Sequence, residues 1–309
     1  MANLQPDSVS YAGLCFGQET GYLINGLVLR CLITTEKQNS AAQLPLNFLV
    51  VGCQRCGTTW LDAALRDHPQ VYLPPQKQTY FFDRTFDLGL PWYMEQFAGV
   101  SHAHQAVGEV ATGYCLLDAI PRMAQALPDV RLLMIMRHPV DRAYSNYQAR
   151  CVEQGWSSFA QAVKDDDDLL ARGRYSEQLE KLLEYYPQER IKLLFYDDLA
   201  LDDREFISAI YEFIGVDPQH TPAAIGQMKN AAMFPLIRSA AKRLGVAPLL
   251  GAISKTAVGT AVRKTHKRSG KRGYEPMSPA MRQELLEYFK PYNKRLAEIA
   301  DRDLSDWEV

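Results

Sequence analysis

The sequence lacks a strong excess of charge of either sign, and it lacks a long apolar run. Its formal net charge is −2, which gives no general attraction to nucleic acid or to a membrane surface. The most apolar early stretch, Tyr22 to Thr34, is too short to cross a bilayer and contains Arg30. No basic segment precedes an apolar core at the amino terminus, so we expect neither a signal peptide nor a membrane span.

Cysteine is also scarce. Six cysteines scattered over 309 residues do not form the framework of a disulfide-rich secreted protein. Their scatter favours a reducing compartment, and we expect a cytoplasmic protein. Internal repeats are absent as well, which excludes a solenoid or propeller architecture.

What the sequence does contain is an alternation of apolar strands and helical stretches from about residue 47 onward. This alternation predicts an α/β fold with three layers and a central parallel sheet. Residues 1–44 carry only weak, mixed patterning, so we assign them to an amino-terminal extension of uncertain order and residues 45–309 to one domain. The predicted strands are 47–51, 71–73, 108–110, 131–136 and 191–196, and the predicted helices are 58–65, 89–97, 114–126, 139–151, 157–171, 176–186 and 203–214. A last helix begins after Ser278, and Pro291 is expected to interrupt it.

The most informative stretch joins the first of these strands to the first helix. Gly52 to Thr59 reads Gly-Cys-Gln-Arg-Cys-Gly-Thr-Thr, and this glycine frame is that of the ATP-binding P-loop. A strand, a glycine-bounded loop and a helix start direct backbone N–H groups and the helix dipole at an anion. However, Thr58 stands where a triphosphate site needs Lys. We therefore predict a P-loop-like site for a shorter anion, with Arg55 as its cation, in preference to a plain glycine turn.

Cys53 and Cys56 form a CxxC pair inside this loop. Such a pair occurs in thioredoxin-like redox sites and as half of a zinc site. Because the other loop residues already suit an anion site, we favour neither redox use nor metal binding, and we expect no metal.

A second stretch of the sequence also has a recognisable motif. After the strand that ends at Met136 come Arg137, then Pro139, and then Ser145 eight residues after the Arg. Together with the Arg-x-Gly-Thr-Thr core of the first loop, this pattern resembles sulfotransferases that use 3′-phosphoadenosine 5′-phosphosulfate (PAPS). The resemblance spans roughly residues 45–309 and points to the heparan-sulfate-type and related bacterial branch.

The resemblance implies specific roles for these residues. The first loop would hold the 5′-phosphosulfate of PAPS, Arg55 would take the place of the usual Lys, and Arg137 with Ser145 would hold the 3′-phosphate that distinguishes PAPS from ATP. Tyr175 would lie near the nucleotide. The implied cofactor-binding residues are Arg55, Cys56, Gly57, Thr58, Thr59, Trp60, Arg137, Ser145, Tyr175, Lys271, Arg272 and Gly273.

The last three of these residues belong to a basic segment. Residues 263–272 contain six Lys or Arg in ten positions, a density that nucleic-acid-binding segments also reach. No other nucleic-acid motif accompanies it, so we expect no nucleic-acid partner. The family has a basic, glycine-containing loop here that closes over the 3′-phosphate, although a solvated basic loop is the alternative.

The acceptor side departs from the family pattern. Relatives have Lys-Glu-x-x-Phe-Phe, in which the Glu is the general base, whereas this chain has Lys77-Gln78-Thr79-Tyr80-Phe81-Phe82. An amide does not take up a proton. Asp83 and Glu109 are the nearest replacement bases by family layout, with His102 or His104 as further candidates. Gln78 would then orient the acceptor.

We therefore expect a PAPS-dependent sulfotransferase that produces PAP. The acceptor would be a hydroxyl or an amine or guanidine nitrogen of a small molecule or sugar, as in natural-product tailoring; a saxitoxin-type alkaloid is one specific candidate. A P-loop kinase using ATP and a non-catalytic PAP-binding protein are the alternatives. The sequence does not indicate the oligomeric state.

Overall fold

The computed structural model describes residues 45–116, 118–226 and 276–309, together with four short strands nearer the amino terminus. The chain divides into two compact units, Met1–Gln43 and Leu44–Val309. The short strands of the first unit form two antiparallel pairs, Cys15–Phe16 with Glu19–Thr20 and Tyr22–Ile24 with Leu27–Leu29. That residues 1–44 are a separate extension remains a prediction.

A five-stranded parallel sheet forms the centre of the second unit, and helices surround it. The strands are β1 Phe48–Gly52, β2 Val71–Tyr72, β3 Ala106–Val110, β4 Arg131–Met136 and β5 Ile191–Phe195. Their order in the sheet is β2-β3-β1-β4-β5, so the two strands that precede the predicted phosphate loops, β1 and β4, are neighbours. This arrangement confirms the predicted fold class.

Ten helices accompany the sheet in the described part of this unit. They are α1 Thr58–Asp67, α2 Gly89–Glu95, α3 Ala119–Ala126, α4 Pro139–Gln154, α5 Phe159–Asp165, α6 Asp168–Ala171, α7 Tyr175–Leu183, α8 Tyr196–Leu201, α9 Asp203–Ile214 and α10 Pro279–Ala300. Short 3₁₀ turns occupy Phe86–Leu88, Gln188–Arg190 and Ser305–Glu308.

Three helix predictions need correction. The predicted helix 157–171 is two helices, α5 and α6, and the predicted helix 114–126 begins only at Ala119. Pro291 does not interrupt the last helix, which runs through it from Pro279 to Ala300. Proline removes one backbone hydrogen bond, but Phe289 before it and Leu296 after it are both fully buried. Packing on both sides of the proline therefore outweighs the local loss.

Apolar residues of the central strands form the main core. All five residues from Leu132 to Met136 are buried, as expected for a strand covered on both faces. A second apolar cluster lies between α4, α5, α6 and α10 and includes Val140, Phe159, Leu169 and Phe289. This packing holds α4, which carries Ser145, against α5, α6 and α10.

Candidate phosphosulfate and acceptor site

The loop from Cys53 to Gly57 connects β1 to α1 at the carboxyl edge of the sheet. Gly57 is the residue before the helix, and its φ of 96° lies in the left-handed region that glycine tolerates. A Cβ on Gly57 would lie 3.1 Å from atoms of Tyr196 and Leu199. The loop thus packs closely on α8 while the first N–H groups of α1 stay available to an anion. Thr58 is buried and Thr59 is exposed.

The two sequence motifs meet at Arg55. Its Nε donates to Ser145 Oγ at 3.2 Å, and Arg137 Nη1 donates to the Arg55 carbonyl at 3.5 Å. Desolvation lowers the pKa of the Arg55 guanidinium, and the positive charge of Arg137 lowers it further. Among the described residues, neither Arg takes part in an ion pair with a carboxylate. Two adjacent, uncompensated guanidiniums fit a bound phosphate, which would neutralise both.

Arg137 is supported from behind the loop. Tyr175 is buried, its hydroxyl donates to the Arg137 carbonyl at 2.9 Å, and it lies 3.6 Å from the Cys56 sulfur. The Arg137 guanidinium lies 4.8 Å from the ring centre of Tyr196, a cation–π contact. Tyr175 therefore positions the two loops, and Tyr196 is a contributor that the sequence analysis missed, because nothing local marks it.

Lys77 approaches the same loop from the acceptor side. Its ammonium donates to Thr59 Oγ1 at 3.1 Å, and desolvation lowers its pKa. No ion pair within the described residues includes it. The family pattern in this segment singles out Gln78, but its neighbour Lys77 is the residue that contacts Thr59 at the start of α1. The Lys-x-x-x-Phe-Phe spacing itself was the available signal.

Gln78 is anchored to the loop that follows β3. Its Oε1 accepts from the Thr112 backbone N–H at 3.2 Å and from Thr112 Oγ1 at 2.9 Å. The side chain is half-buried. Because Thr112 follows β3, next to β1 in the sheet, Gln78 is held at the same carboxyl edge as the phosphate loop.

Asp83 lies against the residue after Thr112. A Cβ added to Gly113 would lie 2.4 Å from Asp83 Oδ2, so glycine permits this approach. Asp83 Oδ1 is buried and makes no hydrogen bond within the described residues, and Arg84 Nε is 3.8 Å from Oδ2. Burial raises the pKa of the Asp83 carboxyl, and Arg84 opposes this rise. A carboxylate that has one oxygen without a hydrogen bond and a raised pKa is suited to accept a proton.

Glu109 occupies a different environment. It is fully buried, and its two oxygens accept hydrogen bonds from the Thr79 N–H at 2.5 Å, the Tyr93 hydroxyl at 2.8 Å and the Tyr114 hydroxyl at 3.1 Å. Burial raises the pKa of Glu109 despite these three bonds. With both oxygens occupied inside the core, Glu109 holds the segment containing Gln78 and Asp83 in place. This geometry favours Asp83 over Glu109 as the base.

The remaining candidates fall into three groups. Trp60 donates from its indole to the Ala224 carbonyl at 3.0 Å and is half-buried beside the loop. His102 and His104 precede β3, which places them at the opposite edge of the parallel sheet from Gln78 and Asp83. The basic residues Lys271 and Arg272, with Gly273, lie outside the described residues.

Cys53, Cys56, Cys115 and Cys151 are unpaired thiols. Cys53 and Cys56 are buried under the loop, and Cys53 Sγ lies 3.9 Å from Cys115 Sγ. Burial raises the pKa of Cys53 well above the usual value for a thiol. Among the described residues, no three His, Cys, Asp or Glu side chains are placed to hold a metal ion, and no helix is long and apolar enough to cross a bilayer.

With this geometry in place, comparison with known proteins is informative. The model of the sulfotransferase domain family matches residues 45–240. The human bifunctional heparan sulfate N-deacetylase/N-sulfotransferase 2 is 28% identical over 205 residues, which cover 59% of this chain and 23% of that protein. This chain therefore matches less than a quarter of the length of that bifunctional relative.

Two further relatives match more of the chain. Human heparan sulfate glucosamine 3-O-sulfotransferase 6 is 24% identical over 265 residues, covering 82% of this chain and 72% of that protein. The crystal structure of a sulfotransferase from Alicyclobacillus acidocaldarius superposes with a TM-score of 0.64 and 24% identity, covering 85% of this chain and 99% of that one. This structural likeness supports the fold.

Proposed function

This chain belongs to the sulfotransferase family, and on that premise we propose that it transfers a sulfuryl group from PAPS to a small-molecule or sugar acceptor. The observation that carries the proposal is the 3.2 Å hydrogen bond from Arg55 to Ser145. It joins the expected 5′-phosphosulfate loop to the expected 3′-phosphate motif, so one doubly phosphorylated adenosine can reach both. PAPS would supply the activated sulfuryl group and leave as PAP.

The chain's own residues would bind the two ends of this nucleotide. The 5′ end would lie at the amino terminus of α1, held by the Gly57 amide and by the hydroxyls of Thr58 and Thr59, where the helix dipole favours an anion. Arg137 and Ser145 would bind the 3′-phosphate. Arg55 in the loop and Lys77 beside Thr59 would stabilise the negative charge that develops on the leaving phosphate oxygen.

Asp83 is our candidate for the general base. The nucleophile on the acceptor would lose its proton to the Asp83 carboxylate as it attacks sulfur, while the bond between sulfur and the bridging phosphate oxygen breaks. Gln78 does not take up a proton and would position the acceptor. Glu109 would keep this segment in register without touching the reactants.

The alternatives are unequal. An ATP kinase is disfavoured, because Thr58 replaces the Lys that a triphosphate site requires and because the matching family is the sulfotransferase domain. A non-catalytic PAP-binding protein is favoured by one observation only, the amide of Gln78 in place of a carboxylate. If Asp83 serves as the base, the lack of a carboxylate at position 78 does not exclude catalysis.

The acceptor is proposed only as a class, a small molecule or a sugar. The two human relatives named above are heparan sulfate enzymes by name, and no relative named above supports the saxitoxin-type alkaloid expected from the sequence. Natural-product tailoring and a cytoplasmic location remain predictions.

One experiment separates the candidates. The purified chain would be incubated with PAPS, and in parallel with ATP, and with a panel of alcohols, phenols, amines and monosaccharides. Mass spectrometry would detect sulfated or phosphorylated products and PAP, and calorimetry would measure PAP binding. The proposal predicts a sulfated product together with an equal amount of PAP. PAP binding without any sulfated product would instead support the non-catalytic alternative, and phosphorylated products with ATP would support a kinase.

A further inference from the structure

The orientation of the Gln78 amide is fixed by its partner. The Thr112 backbone N–H has only a hydrogen to offer, so the Gln78 atom 3.2 Å from it is the carbonyl oxygen. The Thr112 hydroxyl, 2.9 Å from the same oxygen, donates to it as well. The amide therefore cannot turn over without losing the hydrogen bond from the Thr112 backbone and bringing two N–H donors together.

The amide nitrogen of Gln78 is consequently the end left for a ligand. Within the described residues, no hydrogen bond uses this Nε2 atom. Gln78 is half-buried. Its neighbour Lys77 donates to Thr59 at the start of α1, and the loop of Thr112 and Gly113 that holds Gln78 also packs against Asp83. At the position where relatives carry a proton-accepting Glu, this chain thus offers an N–H donor.

We infer that Gln78 restricts the acceptor to an oxygen nucleophile, a hydroxyl or phenol, and excludes amines; this inference rests on the proposed function. A hydroxyl oxygen has two lone pairs, so one attacks sulfur while the other accepts the Gln78 N–H. A neutral amine has a single lone pair, which the attack consumes. An ammonium or guanidinium ion would also face the cations Lys77 and Arg55.

The transfer balances with the groups already described. The acceptor oxygen forms a bond to sulfur, the bond from sulfur to the bridging oxygen of PAPS breaks, and that oxygen leaves with PAP. The acceptor proton goes to the Asp83 carboxylate. This conclusion narrows the hydroxyl or nitrogen acceptor expected from the sequence to a hydroxyl, because the Gln78 substitution does not merely remove a base: it places a donor beside the nucleophile.

The test compares matched hydroxyl and amine probes on the intact chain: phenol with aniline, and benzyl alcohol with benzylamine. Calorimetry would measure the binding of each probe to the complex with PAP, and mass spectrometry would measure sulfation with PAPS. We expect each hydroxyl to bind and react at least about tenfold better than its amine partner, the factor that one lost hydrogen bond gives.

The Gln78→Glu variant should shift the ratio toward the amine, since a carboxylate accepts its N–H. The Gln78→Leu variant has neither a donor nor an acceptor at this position, so it should prefer neither the hydroxyl nor the amine probe.

Equal binding and reaction of amines and hydroxyls in the unmodified chain would overturn the inference, as would an unchanged ratio in Gln78→Glu. Failure of the proposed function is distinguishable, because it would appear as PAP binding with no sulfated product from any probe. The calorimetric ratio still decides the selectivity in that case.

Discussion

Arg55 Nε and Ser145 Oγ, ninety residues apart in the chain, lie within 3.2 Å of each other. The parallel pairing of β1 with β4 produces this contact, since both following loops emerge at the same carboxyl edge of adjacent strands. The two anion-binding motifs therefore contact each other directly at this edge, through Arg55 with Ser145 and through Arg137 with the Arg55 carbonyl.

Lys77→Met should weaken PAP binding about tenfold or more, because the ammonium beside Thr59 is expected to make a charge-assisted contact with the 5′-phosphate. Lys77→Arg should retain most of the affinity, since it keeps the charge. Because the pKa of Lys77 is lowered, its charge is lost as the pH rises through that value, and the affinity of the unmodified chain should decline on the alkaline side. Titration calorimetry at several pH values measures both effects. Unchanged PAP affinity in Lys77→Met would contradict this role.

Asp83→Asn should lower kcat by about a hundredfold or more, the usual contribution of a general base, while PAP affinity stays the same. The base must be ionised, so activity should fall as the pH drops through its raised pKa. Arg84→Gln is the matched control: removing the nearby positive charge should raise the pKa of Asp83 further and move this acidic limb to higher pH. Steady-state rates across the pH range provide the measurement. A pH profile that is identical in Asp83→Asn would assign the base elsewhere.

Glu109→Ala should lower the free energy of unfolding by about 3 kcal/mol, because three buried donors lose their acceptor. Tyr93→Phe, which removes only one of these hydrogen bonds, should cost about 1 kcal/mol. Urea unfolding followed by circular dichroism measures both. Glu109→Gln serves as the functional control, since it keeps a carbonyl acceptor and should retain activity once folded. If folded Glu109→Gln were as inactive as Asp83→Asn, Glu109 would belong to the chemistry after all.

Gly57→Ala should abolish tight PAP binding. Alanine at a φ of 96° is strained by about 1–2 kcal/mol, and its Cβ would press on Tyr196 and Leu199 at 3.1 Å, which moves the loop. Gly155→Ala is the control, because Gly155 also has a positive φ of 70° but no atom within 4 Å of an added Cβ. It should lose stability yet bind PAP normally. Equal PAP affinity in the two variants would show that the conformation of the Gly57 loop is unimportant for the cofactor.

The predictions that the structure confirmed rest on local sequence patterns. A strand that is buried on both faces, such as β4, has a continuous apolar sequence, and the glycine frame before α1 marks the loop. The start of α10 after Ser278 follows from capping, and the end of α9 at Ile214 follows from periodicity. Both lie where the sequence pattern predicts them.

What the sequence did not reveal depends on contacts between distant segments. The donor orientation of Gln78 depends on Thr112, thirty-four residues later, and the burial of Glu109 depends on Tyr93 and Tyr114. Short helices such as α8 have too few residues for a periodic pattern. The family resemblance indicated which residues to examine, but only the packing distinguishes Asp83 from Glu109.

The most direct test of the account is a calorimetric comparison of PAP, AMP and ADP binding to the unmodified chain and to Arg137→Ala. If one nucleotide spans both motifs, PAP should bind at least about tenfold more tightly than AMP or ADP, and Arg137→Ala should remove this advantage while leaving AMP affinity nearly unchanged. Equal affinities for PAP and ADP in the unmodified chain, or an Arg137→Ala variant that still prefers PAP, would contradict the claim that Arg137 and Ser145 recognise the 3′-phosphate of a nucleotide bound at the Arg55 loop.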